Sequence, residues 1–188
     1  MKWIRIGNGH PSKQVKPESL VTIEEINQLI SACENQRDKA IFSTIYDSGI
    51  RLGDLLSMKI KDITFDNYGT LLKVYSKICH PTVRVVGNSI PYIRTWIGNH
   101  PEKNNPEAWL FCNISEGIKG GALSHHDIYS IFRKVSKKAG IRRSIYPHLF
   151  RHTRATILAS KVAEAHLESQ MGWVYGSKQT KTYVHLSL

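Results

Sequence analysis

Apolar residues at helical spacing mark the first ordered part of the chain. They stand three or four positions apart at Ile26, Leu29, Ile30 and Cys33. Thr22 followed by Glu25 forms a capping box, so this helix is predicted to begin just after Thr22. Two further helices are predicted over about 38–48, ended by Gly49, and over about 52–58.

After Ile60 the pattern changes to short runs of β-prone residues. The runs cover about 63–65, 71–75 and 83–86. Gly69 and the pair His80-Pro81 separate them. β-branched and aromatic residues bounded by turn residues are typical of strands, so a small three-stranded antiparallel sheet is predicted.

Helical spacing returns in the second half of the chain. The predicted helices cover about 89–97, 124–138, 147–160 and 163–171, and a last short helix carries Tyr183. The fold class is therefore expected to be mixed, mainly α with a small three-stranded antiparallel β-sheet. Residues 1–20 contain several glycines and prolines and are expected to be a leader or the remnant of an interdomain linker. Residues 21–188 are expected to form one domain.

Composition narrows the choice of partner and compartment. The 188 residues are 41% hydrophobic and 22% charged, as in an ordinary globular domain. Lys and Arg number 26 against 15 Asp and Glu, and a formal charge of +11 favours nucleic acid over a membrane as partner. Cys33, Cys79 and Cys112 form no disulfide pattern, and the sequence has no signal-like or membrane-spanning apolar run. A cytoplasmic, reducing location is therefore expected.

His148 and Arg151 are candidate phosphate ligands. They stand three positions apart on a predicted helix, so both side chains lie on one side of it. A guanidinium can grip two phosphate oxygens, and an imidazole can donate to an oxygen or take a proton. The alternative is a solvent-exposed helix face, with His152 and Arg154 as further members. His148 and His152 also have zinc-ligand spacing, but no third ligand stands at a suitable distance, so neither metal nor cofactor is expected.

Four motifs, taken in order, resemble those of the catalytic domain of the tyrosine recombinases, the phage integrase family. They are Ser48-Gly49-Ile50-Arg51-Leu52-Gly53-Asp54-Leu55-Leu56, His148-Leu149-Phe150-Arg151-His152 followed by Ala155-Thr156, Met171-Gly172-Trp173, and Tyr183-Val184-His185. The resemblance covers about residue 20 to the end of the chain. It implies that family's catalytic-domain fold for residues 21–188.

The resemblance gives a role to each matching residue. Arg51 and Arg151 resemble the two arginines that clamp the non-bridging oxygens of the scissile phosphate. Asp54 resembles the acid that holds the first of these arginines. His148 resembles the histidine that assists the phosphate and the nucleophile's proton. Tyr183 resembles the nucleophile that forms a 3′-phosphotyrosine bond.

Two matching positions differ from the usual pattern of the family. Lys77 resembles the hairpin lysine that protonates the leaving 5′ oxygen, but Ser76 and Ile78 stand where glycines are usual. Lys73 therefore remains an alternative for this role. Trp173 stands where most members have His and some have Trp, and its indole N–H can donate a hydrogen bond but cannot shuttle a proton.

The residues around the C-terminus bear on the nucleophile and on association. Tyr175 follows Trp173 too closely to match the family spacing, so a structural role is expected for it. Few residues follow Tyr183, so the helix that many members exchange with a neighbour is expected to be absent or very short. A monomer or weak oligomer is therefore expected without DNA.

The resemblance implies a site-specific DNA recombinase or integrase from a mobile element or virus, independent of metal and ATP. The implied partners are double-stranded DNA attachment sites and other recombinase subunits in a synaptic tetramer. The family's N-terminal core-binding domain is not expected within this sequence. Two alternatives remain open: a nicking and religating enzyme like a type IB topoisomerase, and a basic DNA-binding module without chemistry.

Overall fold

The structure, a computed structural model, describes residues 19–75, 82–85, 87 and 89–186. The helices in this part of the chain are α1 (Ile23–Ala32), α2 (Gln36–Ser48), α3 (Leu52–Ser57), α4 (Ser89–Gly98), α5 (His125–Lys138), α6 (Pro147–Ala159), α7 (Glu164–Met171) and α8 (Lys178–Leu186). The strands are β1 (Ile63–Asp66), β2 (Gly69–Lys73) and β3 (Thr82–Val85). None of these helices is long and apolar enough to cross a membrane.

Side-chain caps set the beginnings of the first two helices. The Thr22 hydroxyl accepts a hydrogen bond from the Glu25 amide (3.2 Å), and the Glu25 carboxylate accepts one from the Thr22 amide (2.9 Å). This confirms the capping box. Helix α2 begins two residues earlier than predicted, because the Asn35 side chain accepts from the Asp38 amide (2.8 Å) and caps the helix.

The sheet is antiparallel, with strand order β1-β2-β3. Ile63 of β1 stands opposite Leu72 of β2, and Leu72 stands opposite Val83 of β3. The prediction of a mainly helical fold with a small antiparallel sheet is confirmed. Residues 76–81 of the connection from β2 to β3, which include Lys77, lie outside the described residues.

Three aromatic rings join α6, which carries His148 and Arg151, to α2 and α5. Phe42 of α2 lies 4.3 Å from Phe132 of α5 and 6.0 Å from Phe150 of α6, between ring centroids. Phe132 and Phe150 are 5.3 Å apart, and all three side chains are buried. Such aromatic pairs contribute about 0.5–1.5 kcal/mol each beyond the burial of their area. This triangle fixes α2 against α6, so it fixes the segment just after α2 as well.

The described chain begins with a firmly held segment. The Arg143 guanidinium donates to the carbonyl oxygens of Ser19 (2.5 Å) and Leu20 (2.7 Å) and pairs with Glu25 on α1. The expected leader over 1–20 falls almost wholly outside the described residues. Its interpretation as a linker remnant stays a prediction.

Candidate active site

Helix α6 has one buried side and one polar side. Leu149 and Phe150 are buried and anchor the helix in the core. Helical spacing places His148, Arg151 and His152 together on another side, which faces α7 and α8. The helix therefore carries three nitrogen-bearing side chains toward one region.

The guanidinium groups of Arg51 and Arg151 meet at the C-terminal end of α7. Nη2 of Arg51 donates to the carbonyl oxygen of Gly172 (3.0 Å). Nη2 of Arg151 donates to the neighbouring carbonyl oxygen of Met171 (2.6 Å), and its Nη1 donates to that of Gly49 (2.7 Å) at the end of α2. The last carbonyls of a helix lack partners within the helix and carry partial negative charge, so cations are favoured there.

Two glycines shape the helix ends that hold these arginines. Gly49 ends α2 with φ 63° and Gly172 ends α7 with φ 60°, both in the left-handed region where a side chain is disfavoured. A Cβ at Gly49 would also lie 3.1 Å from the Arg154 side chain and 3.2 Å from that of Met171. The glycines thus let two helix ends approach each other closely and present their carbonyl oxygens to Arg151.

A cavity of about 420 Å³ opens in front of the two guanidiniums. Four of the predicted site residues contribute to its lining, namely Arg51, His148, Arg151 and Trp173. His125 and Tyr129 of α5 and Gln179 of α8 also line it. Two cations and an imidazole facing one open space suit an anion with several oxygen atoms, such as a phosphodiester.

The positive charge in the cavity is only partly compensated. Arg151 is 6% exposed, and burial together with Arg51 lowers its pKa to about 10, so it stays protonated near neutral pH. A carboxylate oxygen of Asp54 lies 3.8 Å from Nη1 of Arg51, beside the cavity. Burial raises the pKa of Asp54, and Arg51 opposes that rise. Two guanidiniums beside one carboxylate leave a net attraction for an anion.

Tyr183 lies beside the cavity and is buried. Its side chain packs with Ala155, Leu167 and Met171 in a small apolar cluster. Its ring stacks on that of Trp173, with centroids 5.3 Å apart and an angle of 17° between the planes. Trp173 thus contacts the tyrosine and lines the cavity at the same time.

A hydrogen bond joins the phenol oxygen of Tyr183 to Nδ1 of His152. The His152 ring also meets the His148 ring edge to face, with centroids 4.4 Å apart. Burial, with His148 and Arg151 nearby, lowers the pKa of His152 to about 4. Burial raises the pKa of Tyr183, although Arg151 partly offsets this. Both groups are therefore uncharged near neutral pH, and an imidazole that carries its proton on Nε2 accepts the hydrogen bond from the phenol.

His148 reaches the cavity and not the tyrosine. Burial lowers its pKa, and Arg151 and Arg51 lower it further. The two histidine rings do not converge on a common point as zinc ligands would, since they meet edge to face and Nδ1 of His152 is bonded to Tyr183. In the part of the chain that the structure describes, no three His, Cys, Asp or Glu side chains gather as metal ligands.

Glu168 of α7 holds the beginning of α8, and so the position of Tyr183. Its carboxylate accepts hydrogen bonds from the amides of Gly176 (3.1 Å) and Ser177 (3.0 Å) and from the Thr180 hydroxyl (2.7 Å). The Thr180 bond, with those amides, lowers the pKa of Glu168. Because the first amides of a helix lack partners within it, a carboxylate there fixes where the helix starts. Sequence reasoning missed this residue.

Most of the predicted site residues come together in space. Arg51, His148, Arg151 and Trp173 line the cavity, and Asp54 and Tyr183 border it. Lys77 lies outside the described residues, so its part in the site stays a prediction. Lys73, the alternative, ends β2 with an exposed side chain.

Two positions differ from the expectations drawn from the sequence. Tyr175 was expected to be structural, but it is 87% exposed in the turn between α7 and α8 and supports no core packing. His152 was grouped with a possible solvent-exposed face, but it is partly buried against Tyr183. Its spacing of four residues from His148 was a usable signal, because that spacing puts both rings on the same face of α6.

Comparison with known proteins gives the same family as the motifs. The family model for the phage integrase family matches residues 20–188. Transposase A from transposon Tn554 of Staphylococcus aureus is 28% identical over 186 residues, which cover 93% of this chain and 51% of that protein. Tyrosine recombinase XerA of Saccharolobus solfataricus is 26% identical over 191 residues, covering 100% of this chain and 60% of that protein. The chain thus spans about half to three fifths of the length of these relatives.

Solved structures share the fold. A crystal structure of XerA recombinase superposes with a TM-score of 0.76 at 23% identity, covering 95% of this chain and 61% of that one. XerH site-specific recombinase bound to difH substrate in a pre-cleavage complex gives a TM-score of 0.70 at 25% identity, covering 90% of this chain and 51% of that one. The family match includes both arginines, the α6 motif and the C-terminal tyrosine. This chain belongs to the phage integrase family.

Proposed function

We propose that this chain is the catalytic domain of a site-specific DNA recombinase. It would cleave and rejoin DNA strands through a 3′-phosphotyrosine bond to Tyr183. The observation that carries this proposal is the meeting of Arg51 and Arg151 at one open cavity, next to a buried tyrosine. Membership of the phage integrase family supports it.

In this proposal Arg51 and Arg151 bind the non-bridging oxygens of the scissile phosphate. Each guanidinium has several N–H donors, and those not used on backbone carbonyls remain available to the phosphate. The attacked phosphate gains negative charge in its transition state. Cations already fixed in position typically contribute a few kcal/mol each at that point. His148, which faces the same cavity, supplies a further contact to the phosphate.

Tyr183 is the proposed nucleophile, and it needs a proton acceptor. A free phenol has a pKa of ~10, and burial raises the pKa of Tyr183 further. Its attack would release a DNA 5′ oxygen, which must gain a proton to leave. Lys77 is the proposed donor of that proton, with Lys73 as the alternative. Trp173 would donate from its indole N–H or pack against the reacting groups.

The proposed reaction needs neither metal nor ATP. Two arginines and a lysine supply the positive charge for the transition state. The tyrosyl phosphodiester keeps the energy of the broken DNA bond, so a 5′ hydroxyl can reverse the step or join a new strand. This reversibility is what strand exchange requires.

The proposed partners are double-stranded DNA sites and further copies of a recombinase. The charge of +11 favours a polyanion. A structural relative, XerH site-specific recombinase, has a solved structure bound to difH substrate. Exchange between two duplexes would require a synaptic tetramer, and a monomer or weak oligomer is proposed for the protein without DNA.

A nicked suicide DNA substrate tests the proposal. Cleavage near the nick releases a short strand, so a covalent protein–DNA adduct accumulates and is seen on a denaturing gel. We expect an adduct with the wild-type chain and with Tyr175→Phe, and none with Tyr183→Phe. Tyr175 is the matched control, since it is a nearby tyrosine that is 87% exposed and outside the proposed machinery. An adduct that survives in Tyr183→Phe would refute the assignment of the nucleophile.

The same assay separates the alternative functions. DNA binding without an adduct from any nicked substrate would indicate a non-catalytic binding module. If an adduct forms, relaxation of a supercoiled plasmid without exchange between two attachment sites would indicate activity like that of a type IB topoisomerase. Exchange between the two sites would indicate recombination.

A further inference from the structure

We propose that His152 accepts the phenolic proton of Tyr183 during attack on DNA, while His148 serves the phosphate. This inference rests on the proposed function. It gives His152 the proton-accepting part of the role that the motif comparison gave to His148, because His152 is the histidine bonded to Tyr183. The assignment follows from which atoms touch. Nδ1 of His152 is hydrogen-bonded to the phenol oxygen that would attack.

The two histidines of α6 face different groups. His148 lines the cavity in front of Arg51 and Arg151. His152 lies one helical turn further on and contacts Tyr183. A proton acceptor must lie within hydrogen-bonding reach of the proton it removes, and His152 meets this requirement in the described structure.

Packing holds the phenol against His152. Tyr183 is buried, and the Trp173 ring covers one face of its own ring. Ala155 and Leu167 pack around the same ring. The phenol is therefore already directed at the imidazole before DNA arrives, so little rearrangement is needed for the transfer.

In the protein without DNA, His152 is a weak base. Burial, His148 and Arg151 together lower its pKa to about 4. From its own helix His148 and Arg151 face it, from α8 Tyr183 faces it, and Trp173 from the preceding segment has no titratable group. A phosphodiester bound by Arg151 would bring negative charge close to this cluster. An opposite charge nearby favours the protonated imidazole, so DNA binding would strengthen His152 as a base.

The proposed step moves one proton to His152 and exchanges one phosphodiester bond for another. The Tyr183 O–H bond breaks, and its proton forms a bond to Nδ1 of His152, which becomes an imidazolium. The phenol oxygen forms a bond to phosphorus at the DNA 3′ side. The bond from phosphorus to the 5′ oxygen breaks, and that oxygen takes a proton from the lysine donor. In the reverse step His152 returns the proton to the phenol oxygen.

Replacement of His152 by Asn separates proton transfer from positioning. The Asn side-chain oxygen can accept a hydrogen bond near the place of Nδ1, but it cannot take the proton. The measurement is the single-turnover rate of adduct formation on a suicide substrate whose 5′ leaving oxygen is replaced by sulfur. A thiolate leaves without a proton, so the rate reports attack by Tyr183 alone. His166→Asn is the matched control, because His166 is exposed on α7.

We expect His152→Asn to slow adduct formation about 100-fold or more near neutral pH, with unchanged DNA affinity. The wild-type rate should rise with pH and level off once His152 is deprotonated in the DNA complex. The His152→Asn rate should keep rising, since ionised phenol must then be formed without a base. His166→Asn should match the wild-type chain in both respects.

Several results would overturn the assignment. A His152→Asn rate within about twofold of wild type contradicts it, and so does a pH profile identical to that of the wild type. A normal rate in His152→Asn with a large loss in His152→Ala would leave His152 a positioning role alone. If the wild-type chain forms no adduct, the proposed function fails and takes this inference with it.

A second measurement needs no variant. Histidine labelled with ¹⁵N in the wild-type chain reports which ring nitrogen of His152 carries the proton and at what pH the ring titrates. We expect an unprotonated Nδ1 at neutral pH and a higher pKa when inorganic sulfate occupies the cavity. A proton on Nδ1 at neutral pH, or a pKa that sulfate leaves unchanged, would contradict the inference.

Discussion

Arg51 and Arg151 donate to consecutive carbonyl oxygens, those of Gly172 and Met171, at 3.0 Å and 2.6 Å. The end of α7 is therefore a common support for two arginines from distant parts of the chain. Their burial differs, since Arg151 is 6% exposed as a residue and the Arg51 side chain is 37% exposed. Because the two arginines differ in burial, replacing each of them should change the free energy of unfolding by a different amount.

Replacement of Arg151 by Lys should destabilise the fold, whereas Arg51→Lys should not. A lysine ammonium cannot span the carbonyls of Gly49 and Met171 that Arg151 joins, and it leaves buried acceptors unpaired. We expect the free energy of unfolding to fall by roughly 2–4 kcal/mol for Arg151→Lys and by less than about 1 kcal/mol for Arg51→Lys. Urea denaturation followed by circular dichroism measures both. Equal losses would show that Arg151 does not brace the two helix ends.

Sulfate should bind the cavity and stabilise the protein. An anion that binds the folded state alone raises the free energy of unfolding by about 2.7 kcal/mol at 100 times its Kd. For a domain of this size each kcal/mol corresponds to a rise of roughly 2–4 °C in Tm. Differential scanning calorimetry in sulfate, against sodium chloride of equal ionic strength, should show this rise. The rise in Tm caused by sulfate should be much smaller in the Arg51→Ala variant. An unchanged rise in that variant would show that sulfate binds at another site.

DNA affinity should fall steeply with salt. Each phosphate contact contributes about −0.9 to the slope of log K against log salt concentration. We expect Arg51→Ala to weaken binding of unrelated duplexes alike and to reduce the magnitude of that slope by about one. Fluorescence anisotropy over a salt series measures the slope. A flat dependence for the wild-type chain would contradict the phosphate contacts proposed here.

The stability that Glu168 contributes by linking α7 to α8 should depend on pH. Hydrogen bonds from Thr180 and from backbone amides lower the pKa of Glu168 in the folded state, relative to the usual 4.5. A lowered folded-state pKa adds stability that is fully present above the unfolded value and is lost as pH falls through the folded one. Glu168→Gln should therefore be less stable than wild type at pH 7, and the difference should shrink below about pH 4.5. A difference in the free energy of unfolding between Glu168→Gln and wild type that stays constant from pH 7 to pH 3 would contradict this role of Glu168.

Many of the helices could be predicted from the sequence because their capping residues and apolar spacing are local features. Thr22 with Glu25 marks the start of α1, and Gly49 marks the end of α2. The spacing of His148 and Arg151 was enough to predict that both side chains lie on one side of α6, since residues three and four apart share a helix face. Asn35 shows the limit of such prediction. It caps α2 in a stretch where the apolar pattern gives no signal, so the helix begins at Gln36, two residues before the predicted start.

Contacts between distant segments could not be predicted in the same way. Nothing local to Tyr183 indicates that its phenol meets His152, because that contact depends on how α8 packs against α6. The role of Glu168 depends likewise on the path of the chain between α7 and α8. Tyr175 shows the reverse error, since an aromatic residue expected to pack is instead exposed on the turn. Site residues are thus recognisable from local motifs, and their partners only from packing.

Mapping the covalent adduct by mass spectrometry tests the central claim most directly. The adduct from a suicide substrate would be digested with protease and nuclease, and the modified peptide sequenced. We expect a 3′-phosphate nucleotide attached to the phenol oxygen of Tyr183. Attachment to Tyr175 or to a residue other than tyrosine, or linkage through a 5′ phosphate, would contradict it.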